Sequence, residues 1–163
     1  MSNNEKMKEL YTKLSNEYSD MSFELDDSQV VCKYKNGVFV LKHVSHNKHF
    51  GVAVQYHIYY KNNIDENEVL KCLNEINSEH NLVATLTQFS SSQNDNLGCV
   101  SFAPIHIPMF RDEQEIVESG LAYFNRQKHF LTMLESEAQP TCTYPWGQRA
   151  GSGSACGLLP WSA

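Results

Sequence analysis

Residues 29–60 constrain the fold of this chain most, because apolar side chains alternate along them as they do in strands with one buried face. Asn36-Gly37 lies inside this stretch and is typical of a two-residue type I′ hairpin turn. With the turn at residues 35–38, Tyr34 pairs with Phe39, and the register extends outwards from that pair. The pattern therefore predicts an antiparallel hairpin at the start of the stretch.

A second turn is predicted at residues 45–48, where Ser-His-Asn-Lys interrupts the apolar alternation. This turn pairs Val44 with His49 and completes a three-stranded meander. The mainly apolar face of the meander then carries Phe39, Leu41, His43, Phe50, Val52, Val54, Tyr56 and Ile58. Because the other face is mixed, we expect helices to cover one side of the sheet only.

Three segments have the apolar period of amphipathic helices, at residues 5–20, 65–80 and 112–138. Asp65 and Asp112 stand at the starts of the second and third, where a carboxylate can accept hydrogen bonds from free backbone amides. Two more strands are predicted at residues 82–89 and 97–107, whereas residues 23–27 are interpreted as a short connection. The order α-βββ-α-ββ-α predicts an α+β fold, an antiparallel sheet with helices packed on one face.

The chain has 163 residues, the size of one domain, and we expect residues 1–139 to form it. The composition changes after that point, because residues 140–163 hold both tryptophans and no acidic residue. Gly151-Ser152-Gly153-Ser154 within this segment has the composition of a linker. We predict an appended or disordered tail, the alternative being a genuine tail that binds a partner through its aromatic side chains.

The formal net charge is −6 and no basic stripe is present, which argues against nucleic acid as the main partner. No apolar run reaches the length of a membrane span, and residues 1–10 lack the apolar core of a signal peptide. The cysteines number five, an odd count without close spacing that is typical of reduced thiols. These features predict a cytoplasmic protein that does not enter a membrane.

Histidines are the strongest candidates for catalytic chemistry. His43, His46 and His49 form an H-x2-H-x2-H pattern, and a metal-dependent enzyme built on them is one alternative, because zinc takes three or four converging ligands. In the predicted register, however, His43 lies on the inner face, His46 in the turn and His49 on the outer face. Phosphate-loop, dinucleotide and nucleophile motifs are absent from the sequence. We therefore predict no catalytic residue, no metal site and no cofactor.

Four runs of residues carry a resemblance to a known family: Val38-Phe39-Val40-Leu41, Gly51-Val52-Ala53-Val54-Gln55-Tyr56, Leu70-Lys71-Cys72-Leu73-Asn74-Glu75-Ile76-Asn77 and Val100-Ser101-Phe102. With the order of elements, they resemble the YbjN-like domain family of bacterial proteins and the fold it shares with type III secretion chaperones. The resemblance covers roughly residues 7–135. It implies a small, acidic, cytoplasmic protein, usually dimeric, that binds another protein as a secretion chaperone or a regulator.

The sheet face opposite the helices is expected to be uncovered and to bind the partner. Small residues on it would let a partner or a second copy approach closely, and a strand edge could accept an extended peptide. The predicted partner-binding residues are Lys42, His49, Gly51, Ala53 and Gln55. We predict a non-enzymatic protein-binding module that forms a homodimer; a neutralising inhibitor, such as an immunity or anti-defence protein, is the alternative.

Overall fold

The computed structural model describes residues 3–35, 37–61, 65–79, 82–90 and 96–137, so the predicted tail at residues 140–163 lies outside the described part. Within the described residues the helices are α1 (Asn3–Glu17), α2 (Glu66–Glu79) and α3 (Glu115–Glu137). The strands are β1 (Phe23–Asp26), β2 (Gln29–Tyr34), β3 (Gly37–His46), β4 (His49–Lys61), β5 (Leu82–Ser90) and β6 (Asn96–Pro104). The predicted α+β class is confirmed.

All described strands belong to one antiparallel sheet with the order β1-β2-β3-β4-β6-β5. The side that carries Phe39, Leu41 and Val54 is called the inner face, because these residues share a core cluster with buried residues of α1, α2 and α3. The opposite side is called the outer face. The predicted alternation of β3 and β4 between the two faces is confirmed by this core.

The connection predicted at residues 23–27 is in fact an edge strand. Phe23 pairs with Cys32 and Asp26 pairs with Gln29, so β1 and β2 form a tight hairpin. Asp27 adopts a φ of 46°, in the left-handed region that two-residue turns use. Four alternating residues are too short a signal to separate a strand from a connection by periodicity, which is why the sequence interpretation missed it.

Both predicted hairpin registers are wrong by two residues. Tyr34 pairs with Gly37 instead of Phe39, and His49 pairs with His46 instead of Val44. The turns are therefore closed by the pairs Tyr34–Gly37 and His46–His49, and positive φ angles occur at Lys35, Asn47 and Lys48. A slip of two leaves every side chain on its predicted face, because side chains alternate with a period of two. The faces were predictable, but the cross-strand partners were not.

The helix starts follow the prediction. Asp65 Oδ1 accepts a hydrogen bond from the backbone amide of Asn67 at 2.9 Å, and Asp112 Oδ1 accepts one from Gln114 at the same distance. Each carboxylate satisfies an amide that has no partner inside the first turn of a helix. Helix capping therefore accounts for both acidic residues.

Phe124 of α3 anchors the helices to the inner face. Its ring centroid lies 4.8 Å from that of Phe39, 5.6 Å from Phe23 and 5.2 Å from Tyr18, each in an edge-to-face arrangement. Such pairs contribute about 0.5–1.5 kcal/mol each beyond the burial of apolar area. A single side chain thus joins α3 to β3, to β1 and to the segment that follows α1.

Gly120 lets α3 approach α1 and β4 closely. A Cβ at this position would lie 2.9 Å from Leu10 Cδ2 and 3.4 Å from Val52 Cγ2. Glycine in a helix costs about 1 kcal/mol relative to alanine. The close packing of the three elements explains why it stands here.

Two lysines of α1 also bind α3. Lys6 is almost fully buried, and its Nζ donates to Gln114 Oε1 at 2.8 Å and to Glu9 Oε2 at 2.9 Å. Lys13 forms an ion pair with Glu118. Since a buried ammonium group is costly without partners, the contacts of Lys6 fix the position of α1 against the start of α3.

A buried carboxylate tests which face of the sheet is the core. We expect Val54→Asp to unfold the domain, because Val54 is buried and an unpaired buried carboxylate costs several kcal/mol. Thr85→Asp places the same charge on an exposed outer-face position and should change the free energy of unfolding by less than about 0.5 kcal/mol. Urea denaturation followed by circular dichroism measures both; equal stability would contradict this assignment of faces.

Candidate functional site

The outer face is built from rows of side chains that the strand registers bring side by side. Three rows cross the strands: Gln29-Lys42-Ala53, Glu24-Val31-Val40-Gln55 and Lys33-Val38-His57-Ser101-Thr85. Val31, Val38 and Val40 form a small apolar cluster of their own at the centre. The buried residues of the described helices all belong to the inner-face core, apart from Gln127 and Lys6, which are polar.

The structure brings the predicted partner-binding residues together on the outer face. His49, Gly51, Ala53 and Gln55 alternate along β4, and Lys42 pairs with Ala53 from β3. Their accessibility differs from the prediction: Lys42 is exposed, His49 and Gln55 are half-buried, and Gly51 and Ala53 are buried. The expected open surface is therefore already occupied in part.

The chain itself covers Gly51. β6 pairs Tyr56 with Phe102, and continuing that register would place Pro108 opposite Phe50. Phe110 stands there instead and exchanges backbone hydrogen bonds with Phe50 at 2.7 and 2.8 Å. The segment between Pro104 and Phe110 therefore contains two residues more than uninterrupted pairing with β4 would need. We call residues 105–109 the arch.

The arch explains why residue 51 is glycine. A Cβ at this position would lie 2.5 Å from Pro108 O and 2.9 Å from Met109 Sδ. The sequence interpretation assigned this small residue to the approach of a partner. The structure corrects that interpretation, because the chain's own backbone fills the space above Gly51.

A polar cluster that the sequence analysis missed lies in the row of His57. Its Nδ1 is 2.7 Å from Ser101 Oγ, and Cys99 Sγ is 3.7 Å from the same hydroxyl. His57 and Ser101 are direct cross-strand partners 44 positions apart in the chain. Sequence spacing contains no signal for such a pair; only the β4–β6 register reveals it.

The surroundings of this cluster keep it uncharged at neutral pH. Burial lowers the pKa of His57 to about 4, and the positive charge of Lys42 adds to this effect. Burial raises the pKa of the Cys99 thiol to about 11, against a smaller opposing effect of its hydrogen bond to Ser101. A neutral imidazole of such low basicity is a weak general base, and a protonated thiol is a weak nucleophile. The geometry favours a structural role for the cluster.

Three large apolar side chains are exposed in the described part of the chain. They are Leu70 at 41%, Val83 at 41% and Ile105 at 46% of full exposure. Val83 lies on the outer face opposite Ala103, and Ile105 follows Ala103 by two residues, at the start of the arch. The outer face therefore has an apolar, accessible end beside β5 and β6.

Of the three histidines in the sequence pattern, His43 lies on one face of the sheet, and His46 and His49 lie together on the other. His43 pairs with Val52 on the inner face, and its half-buried imidazole leaves Nε2 without a hydrogen-bond partner. Burial lowers the pKa of His43. His46 and His49 are instead direct partners on the outer face, so the predicted divergence is correct for His43 and wrong for this pair. Among the described residues, no group of three or more His, Cys, Asp or Glu side chains is placed to hold a metal ion.

Comparison with known protein families, with curated proteins and with solved structures found no match for this chain. The resemblance to YbjN-like domains therefore stays a prediction. Of the helices in the described ranges, none combines the length and the apolar character that crossing a membrane requires. The geometry of the outer face is the remaining basis for inferring a function.

The contact between Gly51 and the arch can be tested by adding one methyl group. We expect Gly51→Ala to lower the free energy of unfolding by about 1–3 kcal/mol, because the new Cβ meets backbone that cannot rotate away. Gly120→Ala is the matched control, since its Cβ meets the flexible end of Leu10. Urea unfolding compares the two variants, and a smaller cost at Gly51 than at Gly120 would contradict the role of the arch.

The buried state of His57 predicts a dependence of stability on pH. Its folded pKa of about 4 lies below the ordinary value of 6.5, so the unfolded chain binds a proton that the folded chain excludes. Stability is therefore complete above pH 6.5 and is lost as the pH falls towards 4, by up to about 3 kcal/mol. His57→Gln should reduce this loss, whereas His129→Gln, at an exposed position of α3, should not. Unfolding curves from pH 7 to 4 that are identical for wild type and His57→Gln would refute the assignment.

Proposed function

We propose that this chain is a non-enzymatic module that binds one partner protein through the outer face of its sheet. The observation that carries the proposal is the exposure of two apolar side chains at the β5–β6 end of the sheet, Val83 on the outer face and Ile105 directly after β6. Neighbouring exposed apolar side chains favour a contact surface, because covering them removes apolar area from water.

Lysines supply a charged rim to this surface. Lys33 and Lys42 are exposed on the same face in β2 and β3, and Gln55 is half-buried between them and β6. An apolar centre with a polar rim is the usual composition of a protein interface. Lysines at the rim would match acidic side chains of the partner and speed the encounter between the two proteins. Of the predicted surface residues, Lys42 and Gln55 keep a direct role in contacting the partner. Gly51 and Ala53 are buried and support the surface from below.

β5 is the last strand of the sheet, and its outer edge is partly blocked. Binding of a partner to the face is therefore favoured over addition of a strand at this edge. Asn77 of α2 donates from Nδ2 to the backbone oxygen of Ala84 at 3.0 Å, and its Oδ1 accepts from the Ala84 amide at 2.6 Å. These are the backbone groups that an added strand would need. The amide of Asn77 therefore closes the edge at this point, in the way that natural sheets protect their edges.

The resemblance to YbjN-like domains and secretion chaperones adds three points to the proposal. The chain would act as a chaperone or regulator, it would do so in the cytoplasm, and it would form a homodimer. A neutralising inhibitor would use the same chemistry, since both roles require one tight contact with one partner chain. In both cases the proposal concerns stoichiometric binding and assigns no catalytic step to the chain.

Quantitative capture from a lysate of the native host tests the proposal. We expect wild-type protein to retain one protein at a constant molar ratio, either a different protein or a second copy of the chain distinguished by a different tag. Val83→Asp and Ile105→Asp should each reduce the retained amount by about tenfold or more, because a carboxylate would be buried in the apolar contact. Mass spectrometry with isotope-labelled standards measures the ratio.

Thr132→Asp is the control, because it adds the same charge at an exposed position of α3. It should retain the partner as wild type does, and circular dichroism should show that all variants are folded. If the two outer-face variants retain the partner at the wild-type ratio, or if wild type retains none at a constant ratio, the proposal is wrong.

A further inference from the structure

The β3–β4 hairpin ends in a tight, well-defined turn. Asn47 and Lys48 have φ angles of 49° and 61°, the left-handed values that both central residues of a type I′ turn adopt. His46 and His49 are the pair that closes the turn. Directly paired residues hold their Cα atoms about 5.5 Å apart and their side chains on the same face. The two histidine side chains therefore leave the same face of the hairpin at its tip, the outer face.

Hydrogen bonds to Asn47 define the state of both rings. His49 Nδ1 lies 2.9 Å from the backbone oxygen of Asn47, which can only accept, so Nδ1 donates its proton and Nε2 carries the lone pair. His46 Nε2 lies 3.0 Å from Asn47 Nδ2, an amide donor, so this Nε2 is also unprotonated. A ring N–H donated to a backbone carbonyl is the arrangement that orients histidine ligands of metals.

We propose that His46 and His49 form a two-imidazole site for a divalent transition-metal ion of the Ni²⁺ or Cu²⁺ kind. Imidazole nitrogen suits these ions, and their affinities for such ligands lie high in the order of the first-row metals. The side-chain amide of Asn47 gives way to the metal, and water completes the coordination. In the tautomers that these hydrogen bonds require, Nε2 of each ring is the atom that would bind the metal ion. The inference is independent of the proposed function.

Within the described residues the site has two protein ligands, which gives it a moderate affinity. His43 lies on the inner face and cannot join. Lys48 belongs to the turn itself, and its positive charge opposes a bound cation. The site therefore differs from a structural zinc centre, which has four protein ligands.

Titration of untagged, chelator-treated protein with Ni²⁺ tests the site, and Ni²⁺ is chosen because it does not oxidise the free cysteines. Isothermal titration calorimetry at pH 7.5 should show one ion per chain. His46→Gln and His49→Gln should each weaken binding by about tenfold or more, since one ligand is lost. Paramagnetic broadening in NMR spectra should be strongest for the amides of residues 46–49.

Three further variants separate this site from unspecific binding. Asn47→Gly keeps the positive φ of the turn and the backbone oxygen that holds His49, so it should bind Ni²⁺ at least as tightly as wild type. His106→Gln and His129→Gln change exposed histidines elsewhere and should leave binding unchanged. The proposal is overturned if either tip variant binds like wild type, or if the two control variants weaken binding as much as the tip variants do.

Discussion

The inner-face core depends on Phe124, because its ring packs against three other aromatic rings from separate parts of the chain. Phe39 belongs to the centre of the sheet, Phe23 to its edge strand, and Tyr18 to the connection between α1 and β1. Through these contacts α3 holds the first helix and the first hairpin in place. The described helices contribute to this single core on the inner face, whereas the outer face has its own small cluster of buried valines and is partly covered by the arch.

The alternation of apolar residues was sufficient to predict the class of fold and the face of each meander residue. It was insufficient for the register, because shifting a hairpin by two residues buries the same side chains. Asn36-Gly37 favoured one turn position, yet Gly37 already pairs with Tyr34 as a strand residue, and Lys35 before it lies in the left-handed region. The predicted positions of His46 and His49 relative to each other depended on the register, and that prediction was wrong. The predicted burial of Val52 and Val54 depended only on the face, and that prediction was right.

The candidate surface was predictable in outline but not in detail, for a similar reason. Sequence placed Lys42 and Gln55 on the correct face, because they alternate with core residues. It could not show that residues 105–109 cross above Gly51, since this depends on the two extra residues between Pro104 and Phe110 and on the pairing of Phe110 with the distant Phe50. The accessible apolar end of the face thus lies further towards β5 than the small residues of β4 suggested, and the part near Gly51 is closed by the chain's own backbone.

The contact between α1 and α3 has a consequence for how the chain is made. Lys6 and Lys13 bind side chains that lie 108 and 105 positions later, and Met7, Leu10 and Leu14 are fully buried in the finished core. α1 leaves the ribosome long before α3 and must therefore wait, with its apolar side exposed, until α3 has been synthesised. Contacts so distant in the chain slow folding, and incomplete chains of this type expose surfaces that aggregate. A nascent chain that stalls before α3 would lack the helix that carries Phe124, so the part of the inner face beneath α3 would stay exposed, and the chain would depend on molecular chaperones until synthesis resumed.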